Sequence, residues 1–219
     1  MKLLKPLSLV ILLMISFTQV SYGAPDKLVK QFSFTTGMIQ GGYSSPLVQQ
    51  TSDGEVDESN TTDELSGGFS VVPSLQAVLE VFPDSFRSSL FAKTNIAMDS
   101  ATGKMKYNYL GVGQKVYYSG YGIPRSFTES GFTYKADPKT RKYYGWDVGL
   151  SRVLVASFST SLSAVSTALD FGGHWGMIKM MGESWGLNVE VGASYAFGFS
   201  TVAVSGTNIK IFVGGTYGL

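Results

Sequence analysis

The chain contains no cysteine. That excludes disulfides, thiolate metal sites and lipid attachment at a lipoprotein-type cysteine. Charge is scarce too: charged residues make up 15% of the chain, with 17 basic and 16 acidic residues. No basic excess marks a nucleic acid as partner. Long apolar runs are also missing beyond the N-terminus. The one apolar stretch, residues 7–17, is interrupted by Ser8 and Ser16 and is too short to cross a membrane comfortably. Lys2 and Lys5 precede it, and the small residues Ser21 and Gly23 follow it. This layout predicts a secretory signal over residues 1–23, cleaved before Ala24 or shortly after, and a single domain over 24–219. Losing Lys2 and Lys5 leaves the exported chain with 15 basic against 16 acidic residues. An exported chain without a spanning helix can cross a membrane only as a closed β-barrel, because lipid offers no partner to unpaired backbone groups.

What is present points the same way. Glycine occurs 26 times and aromatics are 13% of the chain. From Trp185 the residues alternate: Trp185, Leu187, Val189, Val191, Ala193, Tyr195, Phe197 and Phe199 share one parity. Gly186, Asn188, Glu190, Gly192, Ser194, Ala196 and Gly198 take the other. The stretch from Asn208 to Leu219 repeats the pattern, with Ile209, Ile211, Val213, Gly215, Tyr217 and Leu219 on one face and Asn208, Lys210, Phe212, Gly214, Thr216 and Gly218 on the other. Successive side chains of a strand point to opposite faces, so each stretch has an apolar, aromatic face and a mostly small, polar one. Apolar outside with small and polar inside is the signature of a transmembrane β-barrel. A soluble barrel would need the small, glycine-rich face outward, and that face carries too few charges to serve as an exterior.

Further strands are predicted near residues 31–43, 67–82, 88–98, 106–118, 143–156 and 167–180. With the final hairpin they make eight. Lipid-facing sets are Phe32, Phe34, Thr36 and Met38 in the first, Phe69, Val71, Leu75, Ala77, Leu79 and Val81 in the second, and Leu90, Ala92, Thr94, Ile96 and Met98 in the third. Residues 125–136 read as a further strand; an even strand number then requires a tenth, so ten is the alternative to eight. Residues 157–166 read as a short helix or a loop. Three positions sit badly. Pro73 lacks a ladder donor and suggests a bulge. Arg152 shares the lipid-facing parity of Tyr144, Trp146, Val148 and Leu150, so either a bulge precedes it or it snorkels at an interface. Gln114 raises the same question more mildly.

The segments GLNVEVGASYAFGF and NIKIFVGGTYGL resemble the strands of small Gram-negative outer-membrane barrels, the opacity-protein-like and OmpA- and OmpX-like group. The resemblance covers most of the mature chain as architecture. It implies an all-β, closed, antiparallel up-and-down transmembrane β-barrel in the cell outer membrane. It also implies outer-membrane lipids and lipopolysaccharide as surroundings, delivery by the barrel-assembly machinery, and a monomer. Such barrels usually end on an aromatic residue, whereas Leu219 stands here with Tyr217 two positions before it.

Candidate chemistry is thin. The only histidine, His174, shares a face with Asp170, and together they are a candidate acid–base pair. The resemblance brings in lipid A-modifying barrels, whose deacylase type carries a serine two residues after its histidine; Gly176 occupies that position here. No metal-ligand cluster, nucleotide-binding loop or GxSxG elbow is present, so no cofactor, metal ligand or catalytic residue is expected. Glu80, Lys93, Lys115, Asp147, Glu190 and Lys210 fall on the predicted inner face. They line either a polar pore or a lumen plugged by ion pairs. Eight strands leave room only for side chains, which favours the plug. The acidic segment within 44–65 carries Asp53, Glu55 and Asp57 in alternation, like hard oxygen ligands, but lacks the glycine and closing glutamate of a full calcium loop. It reads as a solvated extracellular loop. The expected role is a non-catalytic structural or surface-interaction barrel. A narrow channel or carrier of small apolar molecules is the alternative, and a lipid-modifying enzyme the third option.

Overall fold

The computed structural model describes residues 29–44, 67–82, 87–97, 105–120, 125–129, 132–136, 139–156, 163–182, 184–199 and 204–218. The signal segment, all but Ser44 of the acidic segment, and Met98 lie outside the described residues.

Eight long strands close on themselves: β1 (Val29–Ser44), β2 (Gly67–Phe82), β3 (Ser88–Ala97), β4 (Met105–Ser119), β7 (Thr140–Ala156), β8 (Ser163–Met180), β9 (Trp185–Gly198) and β10 (Ser205–Gly218). Every neighbouring pair is antiparallel. The seam is made by β1 and β10, from Gln31↔Gly218 to Ser44↔Ser205 without interruption. Closure gives every stave a partner on both sides, the condition for a sheet in lipid.

The remaining two strands, β5 (Arg125–Glu129) and β6 (Phe132–Ala136), pair with each other in a separate sheet. The barrel therefore has eight strands, not ten, and the two short strands within 125–136 pair with each other rather than adding a ninth stave. Length decides this. Five residues extend about 17 Å at the rise of a strand, and tilted they fall short of an apolar band about 25 Å tall. Residues 163–166 begin β8, so the expected loop or short helix over 157–166 is strand in that part; residues 157–162 lie outside the described set.

Antiparallel alternation puts the connections 45–66, 98–104, 157–162 and 199–204 at one end, here the loop end. The connections 83–87, 120–139 and 181–184, the start of β1 and the finish of β10 lie at the other, the terminus end.

No bulge occurs at Pro73. It faces Met38 in unbroken register with β1, and β3 pairs with β2 only from Ser74 onward, so the missing N–H costs no pairing on that side. The register shifts instead between Gly41 and Tyr43. No bulge precedes Arg152 either. It faces Asn108 on β4 and Thr167 on β8 in continuous register and is exposed on the outer wall, between a row of Leu110, Leu150 and Leu169 and the loop end. Its neighbours are polar and it stands close to the end of β7, which is where a snorkelling arginine belongs.

The outer face is apolar: Phe34, Met38, Leu90, Ile96, Val112, Trp146, Leu150, Phe171, Val191 and Ile211 are all exposed. The inner face is less uniformly small and polar than the alternation implies, since Ile39, Val72, Phe82, Phe91, Met105, Ile178 and Phe212 are buried in the lumen. Among the described residues no helix is long and apolar enough to cross a membrane.

Candidate functional site

The six charged residues expected inside, Glu80, Lys93, Lys115, Asp147, Glu190 and Lys210, are all buried in the lumen, and Asp170 and Arg141 join them. Four carboxylates thus stand against four cations. Lys93 on β3 meets Asp147 on β7 at 2.6 Å, and Lys115 on β4 meets Glu80 on β2 at 3.1 Å. Lys210 on β10 stands 3.8 Å from Asp170 on β8. Glu190 on β9 accepts instead from Gln76 Nε2 at 3.2 Å. The Arg141 guanidinium donates to Gln31 at 3.5 Å, and Gln31 in turn donates to Glu80 at 3.4 Å.

Each carboxylate also accepts a hydrogen bond from a tyrosine. The hydroxyls of Tyr107, Tyr109, Tyr117 and Tyr143 donate to Asp170 at 2.5 Å, Asp147 at 2.6 Å, Glu80 at 2.7 Å and Glu190 at 2.9 Å respectively. The same rings serve the cations: Lys115 lies 4.5 Å from the Tyr143 ring centre and Lys210 4.9 Å from that of Tyr109. Charge-assisted bonds of this kind satisfy carboxylate lone pairs that burial would otherwise leave costly.

Glycines in the wall make room for these rings. A Cβ at Gly111 would collide with the Tyr109 hydroxyl, and one at Gly176 with the Tyr143 ring. The Tyr109 ring, from two residues earlier on the same strand, and the Tyr143 ring, from the neighbouring strand, therefore lie flat across these glycines. Two clusters of buried hydrophobic residues lie toward the two ends. Ile39, Tyr43, Val72, Met105, Val153 and Val204 cluster at the loop end. Phe82, Tyr117, Tyr143 and Ile178 cluster at the terminus end.

His174 does not pair with Asp170. Four residues along one strand separate them by about 13 Å, so a shared face does not bring them together. The partner is Asp147 across the β7–β8 ladder, with Nδ1 3.1 Å from Oδ2, and the imidazole stands edge-on to Phe91 at 5.4 Å between ring centres. Asp147 is thus the hub of the network, holding Lys93, Tyr109 and His174 at once. Among the described residues no three His, Asp or Glu side chains are grouped to hold a metal ion.

The tyrosines are what sequence reading missed. The available signal was parity: Tyr107, Tyr109 and Tyr117 share theirs with Gly111, Gly113 and Lys115, and Tyr143 shares its parity with Gly145 and Asp147. An aromatic residue in phase with glycine and charge faces inward.

No protein-family model matches the chain, and neither does any curated sequence. Among solved structures it is similar to neisserial surface protein A, at 12% identity and a TM-score of 0.48, covering 85% of this chain and 96% of that one. It is similar to the N-terminal β-barrel domain of Pseudomonas aeruginosa OprF, at 8% identity and 0.44, covering 84% and 97%. It is also similar to the outer membrane protease OmpT of Escherichia coli, at 7% identity and 0.47, covering 90% and 98%.

Proposed function

We propose that the protein is a non-catalytic outer-membrane β-barrel with a structural or surface-interaction role, and that its lumen is a plug rather than a pathway. The observation that carries this reading is the network of buried charges inside the barrel. Four carboxylates, each met by a tyrosine hydroxyl, lie buried in the lumen with Lys93, Lys115 and Lys210, and hydrophobic clusters lie toward either end. Opening a path would part Lys93 from Asp147 or Lys115 from Glu80, and breaking a buried pair costs about 3–5 kcal/mol. Asp147 with His174 is the nearest approach to an acid–base pair, yet their side chains are only 2% and 3% exposed, so substrate has no access. The apolar exterior supports residence in lipid, and the predicted signal supports export to the outer membrane. On this reading the chain is a monomer, surrounded by outer-membrane lipid and lipopolysaccharide and inserted by the barrel-assembly machinery.

Planar-bilayer recording tests the plug. The purified chain is expected to insert without steady single-channel current; large, steady currents would overturn the plug and favour the channel. Fractionation tests the compartment. The protein is expected in the outer-membrane fraction with a gel mobility that shifts on heating, and recovery as a soluble periplasmic protein after a salt wash would overturn the reading.

A further inference from the structure

Not every polar group in the lumen is matched. On β3 the carbonyl oxygen and the amide nitrogen of Asn95 are both without a hydrogen bond among the described residues, and so is the hydroxyl of Ser151 on β7. Asn95 is 0% and Ser151 1% exposed. The two stand in one row on either side of Tyr109, which faces Asn95 on β3 and Ser151 on β7. The Tyr109 hydroxyl is turned to Asp147 instead.

A third group stands beside them. Ser151 pairs in register with Ala168 of β8, two positions from Asp170. Inward residues placed diagonally in this way have Cα atoms about 7–8 Å apart. Asp170 accepts from Tyr107 at Oδ2, whereas its Oδ1 has no hydrogen bond among the described residues. Lys210 Nζ stands 3.8 Å from that oxygen. The pairs made by Lys93 and Lys115 close at 2.6 Å and 3.1 Å. A contact of 3.8 Å is too long for a direct hydrogen bond and is of the length at which a water joins the two groups.

A buried amide or hydroxyl left unmatched is costly, so these groups need an occupant that both donates and accepts. The four buried carboxylates are balanced by Lys93, Lys115, Lys210 and Arg141, so the lumen has no charge for an ion to neutralise. A bore of eight strands has no room for a larger polar molecule. We propose that this row binds structural water. One molecule is shared by the Ser151 hydroxyl, Asp170 Oδ1 and the Lys210 ammonium, three partners being the usual number for a buried water. A second sits on the Asn95 amide. The Lys210–Asp170 pair is thereby water-mediated, unlike the direct pairs of Lys93 and Lys115. The proposal rests on the plug reading above and deepens it: the interior is closed but not dry, and its water is slow to leave.

Oxygen-17 relaxation of the solvent counts such molecules, because it responds to waters held for nanoseconds or longer and ignores exchanging hydroxyl protons. The protein, folded in detergent micelles and showing its heat-shifted band, is compared with Asn95→Leu and Ser151→Ala. Asn95→Leu keeps the shape of the side chain and removes both of its polar groups. Each variant is expected to lose the contribution of about one long-lived water, and the double variant that of about two. In the unmodified protein the Asn95 side-chain amide should also receive magnetisation from water with the sign of a long-lived contact, a reading that needs no variant to fold. Unchanged relaxation in either variant, or no transfer to the Asn95 amide, overturns the site and leaves the plug in place. Water that leaves too fast to register in any form, together with steady single-channel current, overturns the plug reading and the site with it.

Discussion

The β9–β10 hairpin and the β4–β7 pair stand on different sides of one lumen and fill it unequally. On the hairpin the inward residues are mostly small: Gly186, Gly192, Ser194, Ala196, Gly214 and Thr216, with Glu190, Lys210 and Phe212 among them. On β4 and β7 large residues predominate, with Met105, Tyr107, Tyr109, Lys115, Tyr117, Arg141 and Tyr143 interleaved by Gly111, Gly113, Gly145, Gly149 and Ser151. The two complement each other, and Lys210 of β10 reaches the Tyr107 hydroxyl of β4 at 3.0 Å. A bore this narrow cannot hold bulk on every stave. One wall supplies the volume and the other yields it, so a mutation's cost depends on which wall carries it.

The sharpest break of that comparison is Asp147→Ala. It strands Lys93 and leaves Tyr109 and His174 without their acceptor, and we expect a loss of about 3–5 kcal/mol in urea unfolding of the protein in lipid vesicles. Glu190→Gln on the hairpin keeps an acceptor for Tyr143 and should cost less than half as much. Similar losses at the two sites would mean that the walls share the load evenly.

Next in size is the exchange between faces. Val191→Arg, on the lipid side of β9, should destabilise by about 2–4 kcal/mol if placed near the midplane. Arg152→Leu on the outer wall of β7 should change stability by no more than about 1 kcal/mol, because a cation near the interface costs little to keep. The same unfolding titration reads both, and a large loss from Arg152→Leu would give that arginine a structural role beyond snorkelling.

The smallest contrast compares two hydroxyls. Tyr109→Phe removes a bond to a buried carboxylate and should cost about 1.5–3 kcal/mol. Ser194→Ala on the hairpin removes the acceptor of a 3.3 Å bond from Asn208, whose own carbonyl keeps the Tyr43 hydroxyl, and should cost about 1 kcal/mol. Equal effects would show that the tyrosine layer packs rather than bonds.

The two regions also differ in how far sequence reveals them. Alternation in β9 and β10 is so regular that strand and face follow directly, and β2 begins and ends at Gly67 and Phe82 as expected. The same rule exposes the six inner charges, because a charge in phase with glycine has only one face to occupy. It fails on β4, where tyrosines occupy the inner face and the outer face carries Lys106, Asn108 and Gln114. Polarity there is reversed at several positions, so hydrophobic contrast is weak. Pairings across the lumen, such as Asp147 with His174, depend on register between strands, which no single segment encodes. The β5–β6 pair was hidden for another reason: its residues have strand composition, and only length separates a stave from an appendage.

The seam has a consequence for assembly. Most other neighbours in the barrel are joined through one short hairpin, whereas Ser33 and Thr216, whose hydroxyls meet at 2.5 Å across β1 and β10, are 183 residues apart. Loop-closure entropy grows with the logarithm of separation, so this contact costs about 2 kcal/mol more to form than one spanning roughly twenty residues. Growth stave by stave from local hairpins is therefore downhill until the last stitch. The ring should zip around its circumference first and fasten at β1–β10 last, and until that moment the two strands with open edges are the ones that neighbouring chains can capture.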